Sequence, residues 1–228
     1  MGFVAKTKKT DAPPDVPRSR RALALCLAVT AALTALDLGS KSWALDALST
    51  ERLGDPGPVC EADENGYMSM QRGRAESMVL IEGNLELRYA ENCGAAFGLL
   101  RDADAWVRHS VFGLAAVAAS IALLVMFARG RGGAWFAYAV PFIVSGAIGN
   151  LVDRIRYGYV VDFIRLHWEG EILTMREWPT FNIADVTITA GVVMLLIDGW
   201  LEGREEKRAA AAKKSGKPSE PSEAASES

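Results

Sequence analysis

Four apolar runs without a charged side chain, Ala22 to Leu36, Ser110 to Phe127, Gly132 to Val152 and Val186 to Ile197, limit this chain more than any other feature. Extended a little at their flanks, each reaches the roughly 20 residues that an α-helix needs to cross a bilayer. The core of a soluble domain could hide one such run. Four of them, separated by polar connectors, predict an α-helical integral membrane protein with transmembrane helices at about 22–45, 106–128, 134–152 and 183–201. A net charge of −3 over 228 residues offers no basic surface for nucleic acid.

The flanking segments set the topology. Residues 1–21 form a basic, proline-broken tail, which is expected to be disordered. The run after it has no small-x-small cleavage site before Asp37 and Lys41, so it reads as an uncleaved first helix rather than a leader. Basic residues near helix ends cluster in this tail, in the turn Arg129 to Gly133, and at Arg204, Lys207 and Arg208. By the positive-inside rule those three segments, and with them both termini, are cytoplasmic. The long connectors, about 46–105 and 153–182, then face outward.

Within the connectors the pattern varies. The acidic, Gly- and Pro-rich stretch 46–76 reads as a surface insertion with partial disorder and no chemistry. Beyond it, Leu85, Leu87 and Tyr89 alternate with Glu86 and Arg88 after a turn at Glu82 to Asn84, the signature of a short hairpin beside the membrane. Tyr157, Tyr159, Trp168 and Trp178 suit the headgroup level. The last stretch, 202–228, has no apolar periodicity and reads as a disordered tail.

Acids at a membrane margin are costly and are usually kept for function. Asp37 and Lys41, at i and i+4, share a helix face as an ion pair. Asp153 precedes Arg154, which reads most simply as a second ion pair. Asp162, between Val160-Val161 and Phe163-Ile164, is a lone acid whose apolar neighbourhood should raise its pKa. Asp185 supports two readings: N3 of a capping box with Asn182 as N-cap, or one half of an acid pair with Asp162 that activates water. Spacing alone leaves both open.

Other chemistries lack their residues. His109 and His167 lie in unrelated contexts, there is no metal-ligand spacing, and GxSxG, HExxH and P-loop patterns are missing. Cys26 lies in the first apolar run. Cys60 and Cys93 share an outer connector and can pair only where it meets an oxidising compartment.

Five ordered motifs remain: Asp37-x-x-Ser-Lys41, Asn92-x-Gly-Ala-Ala-Phe97, Gly149-Asn-Leu-Val-Asp-Arg154, Val160-Val-Asp-Phe163 and Phe181-Asn-Ile-Ala-Asp185. Together, over residues 22–201, they resemble the lipoprotein signal peptidase family, the type II signal peptidases of bacteria. The resemblance implies a monomeric aspartic endopeptidase of the inner membrane, needing no cofactor or metal, with a small β-cradle on the periplasmic face. Its substrates would be diacylglyceryl-modified prolipoproteins in the lipid bilayer, cut immediately before the lipidated cysteine. By motif, Asp162 and Asp185 are the catalytic pair. Asn150, Asp153, Arg154 and Asn182 surround it, Asn92 and Gly94 belong to a substrate-side loop, and Asp37 with Lys41 is a supporting pair.

The chain departs from the family pattern at Leu38, where glutamine is usual, in the long 46–76 insertion, and in an extension over Glu169 to Glu177. Two alternatives stand beside this reading. One is a non-enzymatic transporter subunit or assembly factor that uses the acids as ion pairs. The other is a dyad built from Asp153 rather than Asp162.

Overall fold

The computed structural model describes residues 17–55, 57–61, 70–94, 104–172 and 175–215. It begins with α1 (Arg20–Leu48), followed by β1 (Ser49–Thr50), β2 (Gly73–Arg74), β3 (Met78–Ile81) and β4 (Leu85–Asn92). Next come α2 (Ala105–Ala128), α3 (Ala134–Tyr157), β5 (Val160–Ile172), β6 (Met175–Glu177) and α4 (Ile183–Ser215). Each helix contains a stretch long and apolar enough to cross a membrane. Their surfaces agree: Leu114, Ile121 and Val125 on α2 and Leu196 on α4 point outward. Apolar surface of that extent, on helices that satisfy their own backbone, belongs in lipid. The fold is that of a helical membrane protein with a small β part.

One end of the bundle gathers the basic segments. Arg18 donates to the carbonyls of Arg131, Gly132 and Gly133 and lies 4.7 Å over the Phe127 ring. Asp198 of α4 accepts from the Gly133 N–H at 3.0 Å, at the N-terminus of α3, where the helix dipole favours an anion. Beneath this, Cys26, Phe127, Phe136, Val140 and Val144 form an apolar core, joined by Leu195.

The sheets lie at the other end. β3, β4, β5 and β6 form an antiparallel sheet in that order, and β1 pairs with β2 in a separate ribbon. Ala44, Leu48, Cys60, Tyr89, Tyr159, Val161 and Phe163 make a second core, in which α1 meets the sheet. The expected hairpin is β3–β4, with Asn84 N–H closing its turn on the Ile81 carbonyl. Its alternation is not strict. A register shift between Leu87 and Ala90 buries both Glu86 and Tyr89, and Glu86 is compensated by Arg165 on β5. Burial pushes the Glu86 carboxyl up, but Arg165 and Arg88 outweigh it and hold the pKa below the usual carboxylate value.

Several boundaries differ from those read in the sequence. α1 continues to Leu48 and α3 to Tyr157, where Gly158 (φ 77°) ends the helix in the left-handed conformation. The extension at Glu169 to Glu177 becomes the end of β5 together with β6. Tyr159 is buried rather than at the headgroup level. The stretch after Leu201 is helical as far as Ser215, not disordered, because Ala, Glu, Lys and Arg favour helix without any apolar stripe. Residues 1–16, 62–69, 95–103 and 216–228 lie outside the described residues, and with them most of the basic tail, part of the insertion and Ala95 to Phe97.

The seam between α3 and α4 is close-packed at Gly146, where a Cβ would overlap the Ala184 carbonyl oxygen and meet Thr187 Oγ1 at 2.6 Å. Gly146→Ala should therefore destabilise the bundle by roughly 1–3 kcal/mol. A lower Tm of the detergent-solubilised protein would register this, and an unchanged Tm would contradict such close packing.

Candidate active site

The site forms where the start of α4 meets the sheet. Phe181, just before the helix, pairs with Ile164 of β5: its N–H donates to the Ile164 carbonyl at 3.0 Å, and its carbonyl accepts from Phe163 and Ile164. This pairing carries Asn182 up to Asp162. The Asn182 Nδ2 donates to Asp162 Oδ1 at 2.7 Å, and from β4 the Asn92 Nδ2 donates to Asp162 Oδ2 at 3.0 Å. Asn92 is itself oriented by the Gly94 N–H, which donates to its Oδ1 at 3.1 Å.

Asn182 also caps α4. Its Oδ1 accepts from the Asp185 N–H at 3.0 Å while Asp185 Oδ2 accepts from the Asn182 N–H at 3.3 Å, the reciprocal capping box anticipated from the spacing. Asp185 Oδ1 accepts from Asn150 Nδ2 at 2.9 Å. One asparagine therefore touches both acids.

Beside this pair lies a buried ionic cluster. Lys41 Nζ, 1 % exposed as a residue, lies 2.9 Å from Asp37 Oδ2, 3.2 Å from Asp153 Oδ2 and 2.8 Å from Asn150 Oδ1. Asp37 Oδ1 accepts from the Ala184 N–H at 2.7 Å, capping a second free amide of α4. Asp153 Oδ2 accepts from the Val161 N–H at 3.0 Å. Gly149 makes room, since a Cβ there would overlap Asp37 Oδ2.

The expected Asp37–Lys41 pair is thus present. The Asp153–Arg154 pair is not: Asp153 turns inward to Lys41, and Arg154 donates to the Asn150 carbonyl at 3.2 Å. Neighbours at i and i+1 point about 100° apart on a helix and cannot face each other. Arg154 still adds its positive field to Asp185, Asp162 and Asp153.

Four acids, Asp37, Asp153, Asp162 and Asp185, thus share two cations, Lys41 and Arg154. Asp162 bears the imbalance. Burial first, and Asp185 second, push its carboxyl pKa up to about 8, against the hydrogen bonds from Asn92 and Asn182. At neutral pH it holds a proton. Among the described residues no three His, Cys, Asp or Glu side chains converge as metal ligands.

Some features escaped the sequence reading. Glu91, beside Asn92, accepts from the backbone N–H groups of Gln71 and Arg72 at 2.7 and 2.9 Å. Tyr89 and Tyr159 hydrogen bond through their hydroxyls at 3.0 Å, and burial first raises the pKa of both. The pairing that the sequence left open for Cys60 and Cys93 is present as a disulfide. The alternation of β4 was an available signal, for it puts Tyr89 and Glu91 on one side and Asn92 on the other.

A bundle of four membrane-length helices with an acid-centred polar site beneath a small sheet places the chain among multi-pass membrane proteins. Comparison narrows the class: the family model Peptidase_A8, signal peptidase (SPase) II, matches residues 29–201, and the chain belongs to that family of proteases. Its relatives include the lipoprotein signal peptidases of Pseudomonas putida (42 % identity, 58 % of this chain and 74 % of that protein) and Syntrophomonas wolfei (41 %, 58 % and 80 %). That of Pseudomonas aeruginosa is 39 % identical, over 61 % of this chain and 80 % of its own. A solved bacterial membrane enzyme shares the fold with TM-score 0.56 at 24 % identity, over 81 % of this chain and 92 % of that one.

Lys41 is the cation on which the buried acids depend. Lys41→Met should destabilise the protein by roughly 3–5 kcal/mol by leaving Asp37 and Asp153 without it. Adding Asp153→Asn should restore part of the loss, as a double-mutant cycle on Tm or detergent-unfolding midpoints would measure. Strictly additive losses would contradict the coupling.

Proposed function

We propose that the chain is an aspartic endopeptidase that removes signal peptides from diacylglyceryl-modified prolipoproteins, cutting immediately before the lipid-bearing cysteine. The observation that carries this reading is the bridge through Asn182 between a buried, protonated Asp162 and Asp185. Family membership supports proteolysis and sets aside the transporter-subunit alternative. Asp153, occupied by Lys41 and the Val161 N–H, is a poor candidate for the dyad.

In this mechanism the Asp185 carboxylate takes a proton from water, and the carboxylic acid of Asp162 donates to the scissile carbonyl oxygen. Asn182, Asn150 and Asn92 hold the two carboxyls in place, and Arg154 offsets negative charge. The substrate's acyl chains stay in the bilayer and fix the height of the scissile bond, so that attack is effectively intramolecular.

The protein acts as a monomer in the bacterial inner membrane, with both termini cytoplasmic and the acids toward the periplasm. Two observations favour this orientation: the basic segments gather at the end of the bundle away from the acids, and the disulfide lies at the acid-bearing end, where an oxidising compartment is required.

Purified enzyme should cleave a diacylated prolipoprotein and leave an unlipidated control intact. Asp162→Asn and Asp185→Asn should each lower kcat roughly 100- to 10000-fold while the protein stays folded. Normal turnover in either variant would sink the assignment.

The pH dependence has a definite sign. Because the Asp162 pKa is raised to about 8, raising the pH through that value removes the proton that the mechanism donates. A plot of kcat/KM against pH should therefore fall on its alkaline side near that value, the upper macroscopic step of the coupled pair. A rate that rises through this range would mean that Asp162 acts as a base instead.

A further inference from the structure

We propose that the described parts of the segment between α1 and β3, residues 49–55, 57–61 and 70–77, form a brace that positions Asn92 against Asp162, and that the Cys60–Cys93 disulfide closes it. This rests on the reading of Asp162 and Asp185 as the catalytic pair.

Successive side chains point to opposite faces of a strand, so Glu91, which accepts from the Tyr89 hydroxyl, points away from Asn92, and Cys93, just past the strand, packs against the same core as Tyr89. Both are fastened to the same segment. Glu91 receives the N–H groups of Gln71 and Arg72, and Cys93 is covalently joined to Cys60. One turn of alternation earlier, the Tyr89 carbonyl accepts from Arg74 Nε at 2.9 Å. The segment is itself tied down: β1 pairs with β2, Arg72 Nε donates to Ser49 Oγ at 2.7 Å, and Arg52 donates to the Met70 carbonyl.

Asn92 is the last residue of β4. On one edge Asn92 is paired in register with Val160 of β5; a strand end frays unless its other edge is held as well, and here that hold comes from the residues on either side of Asn92. Asn92 in turn supplies one of the two amide donors on Asp162. Cutting the Cys60–Cys93 link frees the strand end at the position next to that donor. Asp162 would then keep the burial, the repulsion of Asp185 from α4 and the attraction of Lys41 from α1 and Arg154 from α3, but lose a hydrogen bond that pulls its pKa down. Asn92 and the brace are positioning elements, and Asp162 remains the group that meets substrate.

The test uses the full-length enzyme in lipid nanodiscs, in a Cys26→Ser background so that thiol labelling reads only the bridge. Cleavage of a diacylated prolipoprotein is followed before and after reduction with a phosphine. Reduction is expected to lower kcat about 10- to 100-fold, the scale of a misplaced catalytic group, with KM changed far less. The alkaline limb of the kcat/KM profile should move to higher pH, and re-oxidation should restore both. Cys60→Ser, which leaves Cys93 in place, should behave like the reduced enzyme and ignore reductant.

Unchanged kcat and an unmoved pH limb, once labelling confirms two free thiols, would overturn the brace, as would an effect confined to KM. The dyad reading fails on a different result, turnover by Asp162→Asn, whatever reductant does.

Discussion

The ammonium of Lys41 is the contact on which the site is assembled. A lysine so deeply enclosed is tolerated only with well-placed counter-charges, because removing it from water costs several kcal/mol. Here Asp37 and Asp153 supply the charge, and both carboxylates reach onward, Asp37 to the N-terminus of α4 and Asp153 to the first residues of β5. One cation thereby joins α1, α3, α4 and the sheet. It also orients Asn150: an amide whose oxygen faces an ammonium must turn its NH₂ the other way, toward Asp185.

The two readings of Asp185 prove compatible in geometry. A capping box uses two backbone N–H groups, the Asn182 Oδ1 and one carboxylate oxygen of Asp185, which leaves the other oxygen for Asn150. The cap and the contact with Asp162 use opposite ends of the same Asn182 side chain. What reads as competition along the sequence is one arrangement in space, because a helix N-terminus already concentrates donors and positive potential where an acid is wanted.

Local features were legible in the sequence and distant ones were not. The four spans follow from hydropathy, the Asp37–Lys41 pair and the capping box from spacing along one helix, and the perturbed Asp162 from its apolar neighbours. The turn of Asp153 toward Lys41 rather than Arg154 was not legible, because it joins α1 to α3 and depends on Gly149 letting Asp37 in. The pairing of Phe181 with Ile164, which delivers Asn182 to Asp162, is likewise a tertiary contact. The ties of the 46–76 insertion were legible only in part. Its cysteine allowed the disulfide with Cys93, but Gly- and Pro-rich composition says nothing of a carboxylate that gathers its backbone amides.

The distribution of donors explains why only some of the acids are salt-bridged. Asp37 and Asp153 meet the Lys41 ammonium in direct contact, at 2.9 and 3.2 Å. Asp162 is given neutral amides instead, from Asn92 and Asn182, while Lys41 reaches it only through space, as the weakest of the main influences on it. Amides can order a carboxyl without forcing it to ionise, so burial and the nearby Asp185 prevail and the proton stays. Had Lys41 contacted Asp162 directly, the same four acids would form a structural salt-bridge cluster with no proton to give. In the proposed mechanism, the segregation of ammonium to one side and amides to the other is therefore what leaves this costly group of buried acids a proton to transfer.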